Sequence, residues 1–266
     1  MIAVNVANKR YTDVGMNTVF YGRRALVVGG SGGIGAAVAK LLGEMGASVV
    51  VHGGTSRERL DASITAVRST GAVASGFLLP IDSPKAANML FRQESNIDIV
   101  VCAWGPFSRS SLARTTAEDW ERAALLDLAF PGALASAYIE NMAKEGYGRF
   151  LFFGGTTTDS VRGFTTTAAY SAAKTGIGVL VKSIALEYAG TGVSAVVVCP
   201  GFVDTEYLND EVRLDLRKGA PGGRLLETEE VARVALRLIE SETSNGAIVS
   251  LDAGLNLAKR SGKTIY

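Results

Sequence analysis

Short apolar runs alternate along this chain with longer segments in which Ala, Ile and Leu recur at helical spacing. Runs of that length bounded by turn residues predict strands, and the 3.6-residue period between them predicts helices. Strands are expected at residues 24–29, 47–51, 73–79, 97–103, 149–153, 194–198 and 247–251. Helices are expected from the glycine run at 29–35 to residue 46, then at 56–70, from about 84, and at 118–139, 165–189 and 228–240. The run at 97–103 is apolar enough to be buried on both faces, as parallel strands are. Residues 204–226 are polar and contain glycine, which suits a mobile lid or a static surface loop. No linker divides the chain, so one domain is expected over 23–266 after an extension at 1–22. That extension has no long apolar stretch or small-residue cleavage site, which argues against a secretory signal.

The first strand ends in Gly29-Gly30-Ser31-Gly32-Gly33-Ile34-Gly35, and a helix follows. A turn without β-carbons lets backbone N–H groups approach a pyrophosphate, and the helix N-terminus adds its positive dipole end. Dinucleotide binding is favoured over a mere packing turn because the strand precedes and the helix follows. After the second strand no carboxylate occurs between Glu44 and Glu58. A carboxylate there would suit NAD, so its absence tilts the reading to NADP, with Thr55, Ser56 and Arg57 as phosphate ligands and NAD as the alternative. Glu58 is read as the capping-box partner of Thr55. Asp82, at the end of the third strand, is either an adenine ligand or the cap of the next helix.

Composition narrows the chemistry. The 266 residues carry 27 basic and 26 acidic side chains, so no broad field points to nucleic acid or an anionic membrane. No run reaches the ~20 apolar residues of a membrane span. Cys102 and Cys199 each end an apolar run and read as buried thiols of a reduced compartment, hence a cytoplasmic protein. With His52 the lone histidine, zinc clusters and a Ser-His-Asp triad are not expected.

Tyr170 and Lys174 fall one turn apart on the helix expected at 165–189. At ~4 Å and an effective dielectric near 20, the ammonium favours the phenolate by roughly 4 kcal/mol, enough to bring the phenol pKa down toward neutrality. Such a tyrosine suits general acid/base work. Asp127, among Leu125, Leu126 and Leu128, needs a buried partner.

Together these features resemble the classical short-chain dehydrogenase/reductase family from about residue 23 to 257. The glycine turn, Asp82, Tyr170 with Lys174, Pro200-Gly201 with Thr205, and the ending Asn245-Gly246 to Asp252-Ala253-Gly254 occur in the family's order. The resemblance implies a single α/β domain, a Rossmann-like doubly wound parallel sheet of about seven strands flanked by helices. It also implies a nicotinamide cofactor, and a homotetramer or homodimer packed through the helices at 118–139 and 165–189. Gly29, Ser31, Gly33, Ile34 and Gly35 would hold the pyrophosphate, Ala103 and Gly105 would flank the cofactor, and Pro200, Gly201, Val203 and Thr205 would line the nicotinamide. Tyr170 is similar to the family's acid/base, and Lys174 to the residue that lowers its pKa and holds the ribose. The family's serine falls on Thr156 or Thr157, or on Gly155 if the following loop is longer, and its asparagine on Asp127. Trp104, Phe107, Phe164, Phe202 and Tyr207 fall in segments expected around the pocket. The implied activity is hydride transfer between NADP(H) and a small-molecule carbonyl or alcohol; the alternative is a dinucleotide-binding regulator with little or no catalysis.

Overall fold

The computed structural model describes residues 19–258. Most of the expected N-terminal extension, residues 1–18, lies outside the described residues, as do residues 259–266. Packing begins at Phe20, which is buried in the core and donates its N–H to the Met45 carbonyl.

The chain alternates strand and helix: β1 (Arg24–Val28), α1 (Gly33–Glu44), β2 (Ser48–Gly53), α2 (Arg57–Arg68), β3 (Ala74–Leu78), α3 (Ala86–Gln93) and β4 (Ile99–Cys102). It continues through α4 (Ala117–Ala123), a π-helical stretch Ala124–Ala129, α5 (Phe130–Lys144), β5 (Gly148–Phe153), α6 (Ala168–Glu187) and β6 (Val193–Pro200). After β7 (Val203–Asp204), α7 (Asp210–Gly219), β8 (Leu226–Glu227) and α8 (Thr228–Glu240), it ends in β9 (Ile248–Leu251) and α9 (Leu255–Ala258).

Seven strands form one sheet in the order β3-β2-β1-β4-β5-β6-β9, and every neighbouring pair is parallel. Side chains alternate across it: Val27, Val49, Val51 and Val101 face the layer of α1 and α8, while Leu26, Val28, Val50 and Val100 face that of α5 and α6. Both faces are covered, which is why the strand runs carry so few polar residues. The chain winds outward through β2 and β3, then returns to β4 on the other side of β1. That reversal opens a crevice at the carboxyl ends of β1 and β4.

Four local expectations change. Ser56, not Thr55, caps α2, its hydroxyl accepting from the Arg59 N–H, so the capping box through Glu58 does not form. Helix α3 starts after Lys85 without a side-chain cap, so Asp82 does not serve there. The segment 204–226 contains its own helix, capped by Asn209 with acids in the first turn and bases in the last, and a β7–β8 strand pair. Arg213 ties α7 to β7 through Asp204 and braces its own first turn through Asp210, each at 2.8 Å. The helical run Ala117–Lys144 has 28 residues and is long and apolar enough, by length and composition, to cross a membrane; half of its most apolar window is buried within this fold. Pro131 has no N–H for the carbonyl of residue 127, four positions back, and the π-helical stretch accommodates the missing bond.

His52 is fully buried between the ends of three strands. Its Nδ1 accepts from the Gly29 N–H at 3.2 Å, which leaves Nε2 to donate to the Leu79 carbonyl at 2.8 Å. Burial holds its pKa below the ordinary 6.5, against the opposing Leu79 contact. The unfolded chain therefore binds a proton that the folded one resists, so the stability that neutral His52 contributes is full above pH 6.5 and lost as pH falls below it. In urea unfolding between pH 7.5 and 5, wild type is expected to lose stability, and His52→Asn to lose this dependence along with roughly 1–3 kcal/mol at pH 7. Parallel pH profiles for the two proteins would count against this role.

Candidate active site

The glycine turn between β1 and α1 is built by close approach. A β-carbon at Gly35 would lie 2.2 Å from the Gly29 carbonyl oxygen, so α1 packs directly on the turn. Ser63 in α2 donates to the Gly30 carbonyl at 2.7 Å, and the Gly30 N–H donates to the His52 carbonyl at 2.9 Å. Ala103 follows β4, its N–H bound to the Val28 carbonyl at 2.9 Å, and its own carbonyl lies beside Gly29. Ser31 lies beside Gly53 at the end of β2, and Ile34 packs on the core from the first turn of α1. At the start of α1 the Gly33 N–H donates to the Glu206 carboxylate at 2.9 Å, with the Tyr207 hydroxyl against Gly32. An anionic oxygen thus occupies the place where the helix dipole and free amides favour a phosphate, and the residues fit a dinucleotide.

At the end of β2, Thr55 and Arg57 are exposed, with Arg57 only loosely paired to Asp61 at 3.6 Å. Asp82, beyond β3, is also exposed. The sequence reading missed Arg59 and Glu206 here and placed Tyr207 at the substrate pocket. The Arg59 guanidinium lies 5.0 Å from the centre of the Tyr207 ring, bridging α2 to the β7 end. The two ends are far apart in sequence, so only the fold juxtaposes them.

Tyr170 and Lys174 share one face in the first turns of α6, as their spacing predicts. The buried Lys174 ammonium donates to the Phe153 carbonyl at the end of β5 and pairs with Asp127, each at 3.3 Å. Phe107 packs edge-on to the Tyr170 ring at 5.1 Å. On the ring's other contact stands Gly155, where a β-carbon would come within 2.8 Å of Tyr170 Cε1. Burial raises the Tyr170 pKa; Lys174 opposes it, while Asp127 and Cys199 add to it. The expected lowering toward neutrality is therefore overturned in this arrangement: the Lys174 field is present but outweighed.

The run Thr156-Thr157-Thr158 divides its hydroxyls. Thr158 Oγ1 accepts from the Gly155 N–H at 2.8 Å and donates to the Gly155 carbonyl at 2.9 Å, while Thr156 donates to the Gly201 carbonyl at 3.4 Å. Thr157 is buried with φ 60°, a conformation that a β-branched residue rarely adopts. It lines a cavity of about 860 Å³ with Tyr170, Pro200, Val203 and Thr205. Phe107, Phe164 and Phe202 line the cavity as expected. Trp104 does not: it packs edge-on to Phe130 at 5.5 Å in the core.

A parallel sheet with a glycine turn at its switch point and a Tyr-Lys pair beside an apolar cavity defines the Rossmann-like class of dinucleotide enzymes. The family model described as enoyl-(acyl carrier protein) reductase matches residues 29–256. The chain is 31% identical over 249 residues to a 3-oxoacyl-[acyl-carrier-protein] reductase of Chlamydia trachomatis, covering 90% of this chain and all of that one. It is 30% identical over 253 residues to the cis-4-hydroxycyclohexanecarboxylate dehydrogenase of Sinomonas cyclohexanicum, with 90% and 100% covered. Among solved structures, a 3-oxoacyl (acyl-carrier-protein) reductase of Agrobacterium tumefaciens with NADP bound superimposes with TM-score 0.82 at 25% identity, over 92% of this chain and 98% of that one. The chain belongs to the short-chain dehydrogenase/reductase family and is an oxidoreductase.

Proposed function

We propose that the protein transfers a hydride between NADP(H) and a carbonyl or alcohol on an apolar small molecule, with Tyr170 as the proton donor or acceptor. The observation that carries this reading is Tyr170 lining the apolar cavity beside the buried Lys174 ammonium. The glycine turn Gly29 to Gly35 would hold the pyrophosphate, and Thr55, Ser56, Arg57 and Arg59 the 2′-phosphate. Asp82 would take the adenine, and Ala103, Gly105, Pro200, Gly201, Val203 and Thr205 the nicotinamide half. A bound nicotinamide supplies or accepts the hydride. Tyr170 gives its proton to the substrate oxygen in reduction and takes it back in oxidation. NADP is supported by the absence of a carboxylate among Thr55 to Arg57 and by NADP in two solved relatives. The relatives' substrates, a 3-oxoacyl group and a hydroxycyclohexane carboxylate, each place a ketone or alcohol on an apolar frame, which suits the Phe107, Phe164 and Phe202 lining.

The exposed Leu125, Leu128, Val179 and Leu186 on the π-helical stretch and α6 support assembly as a homotetramer or homodimer through those helices. The two buried free thiols support a reducing, cytoplasmic setting, and the balance of 27 basic and 26 acidic side chains supports a small-molecule partner rather than nucleic acid or an anionic membrane.

The test is oxidation of NADPH or NADH by the purified protein with a panel of ketones, followed by absorbance of the reduced nicotinamide. Turnover faster with NADPH supports the proposal. Tight NADPH binding without turnover across the panel supports the regulator reading instead, which the absence of a side chain at Gly155 favours. The Glu206 carboxylate must leave the Gly33 N–H when a phosphate takes that donor. Glu206→Ala is therefore expected to tighten NADPH binding roughly two- to fivefold, read by tryptophan fluorescence titration. Unchanged affinity would mean that Glu206 leaves the turn at no cost.

A further inference from the structure

Asp127 is fully buried in the π-helical stretch, at the position the resemblance gives to asparagine. Among the described residues, Lys174 Nζ at 3.3 Å is the one ionic contact of its carboxylate, and no backbone N–H or hydroxyl donates to either oxygen. The pair is wedged against Gly105. A β-carbon there would lie 2.3 Å from Asp127 Oδ1 and 2.8 Å from Lys174 Nζ, so the backbone after β4 closes over both charges. The remaining titratable groups come from four elements: Tyr170 from α6, Cys102 from the end of β4, Cys199 from β6 and Arg122 from α4. Both thiols are pushed up to about 11 by burial and stay neutral, and Arg122 reaches Asp127 only as a weaker, longer-range charge.

An asparagine at 127 would leave one net positive charge beside the phenol. An aspartate leaves nearly none, because the closed ion pair is a dipole rather than a cation. We propose that Asp127 is a positioning residue that locks the Lys174 ammonium against Gly105 and cancels most of its field at Tyr170. The phenol then remains a protonated acid well into the alkaline range. The inference rests on the proposed role of Tyr170, and it deepens that role: the site is set to donate a proton in carbonyl reduction at neutral pH and to accept one in alcohol oxidation only at alkaline pH. The directions of the pKa shifts agree. Burial raises Asp127 and is opposed by the Lys174 charge and its hydrogen bond, and Lys174 is itself held above its ordinary 10.5.

The sign is fixed by charge. Removing the carboxylate leaves Lys174 uncompensated, favours the phenolate and lowers the Tyr170 pKa. The experiment is an ultraviolet difference titration of phenol ionisation in wild type, D127N and D127A, each with and without Y170F so that subtraction isolates Tyr170. Circular dichroism certifies the fold, and D127A keeps the measurement decisive if the amide misfolds. Both Asp127 variants are expected to ionise Tyr170 about 1 pH unit or more below wild type, and the alkaline limb of kcat for alcohol oxidation is expected to move with it. An unchanged or higher Tyr170 midpoint in both variants would overturn the inference. The titration needs no turnover: a protein inactive on every substrate sinks the proposed function while the titration still decides the role of Asp127.

Discussion

Tyr170→Phe is expected to lower kcat for carbonyl reduction by roughly 10²- to 10⁴-fold, the range a positioned general acid contributes, with NADPH affinity unchanged. The substitution removes one oxygen and leaves the ring, which keeps its edge contact with Phe107 and its place against Gly155. The Lys174–Asp127 pair also persists, because Lys174 is held by the Phe153 carbonyl and the carboxylate independently of the phenol. A Lys174 variant would be a poorer probe, since it strands the buried Asp127 charge and confounds chemistry with stability. Under the proposed mechanism the loss falls on kcat rather than on cofactor binding. Wild-type turnover in Tyr170→Phe would remove the mechanism and leave the fold untouched.

The fold was legible because a parallel sheet covered on both faces writes each strand as an apolar run and each crossover as a helix. The residues facing α1 and α8 alternate with those facing α5 and α6 in β1, β2 and β4, so the runs carry no polar break. Features decided by a single turn were less legible. Thr55 and Ser56 are both competent caps one residue apart, and only backbone geometry gives the role to Ser56. The helix in 204–226 is amphipathic but short and polar, and it is held by Arg213 meeting Asp204, an ion pair that crosses a loop. At the site, Tyr170 with Lys174 could be found because α-helical spacing alone aligns them. The Glu206 carboxylate on the Gly33 N–H could not, because its partner is 173 positions away. The sign of the Tyr170 shift is hidden for a related reason: pairing with one cation can be read from spacing, but burial and the second charge of Asp127, in the π-helical stretch before α5, cannot.

The sequence leaves the hydroxyl run after β5 open between Thr156, Thr157 and Gly155, and their hydrogen bonds support a prediction with a second large effect. Thr157→Val is expected to lower kcat about 100-fold or more, in the range for loss of one donor to a developing oxyanion, whereas Thr156→Val should change it only a few-fold. Thr158 has its hydroxyl engaged on both backbone groups of Gly155, and Thr156 gives its proton to the Gly201 carbonyl. Thr156 and Thr157 both line the cavity with Tyr170, and of the two only Thr157 has no hydrogen bond among the described residues that would hold its hydroxyl elsewhere. Its left-handed backbone costs on the order of 1–3 kcal/mol, and such strain persists where a surrounding site over-determines it. Valine has the same branched shape and inherits the same strain, so thermal unfolding should move little while catalysis falls. Gly155→Ser, which would restore a side chain at the third candidate position, should not rescue the variant: its β-carbon meets Tyr170 Cε1 at 2.8 Å, and the ring must shift to admit it. Full activity in Thr157→Val would leave Tyr170 as the sole side-chain donor to the substrate oxygen.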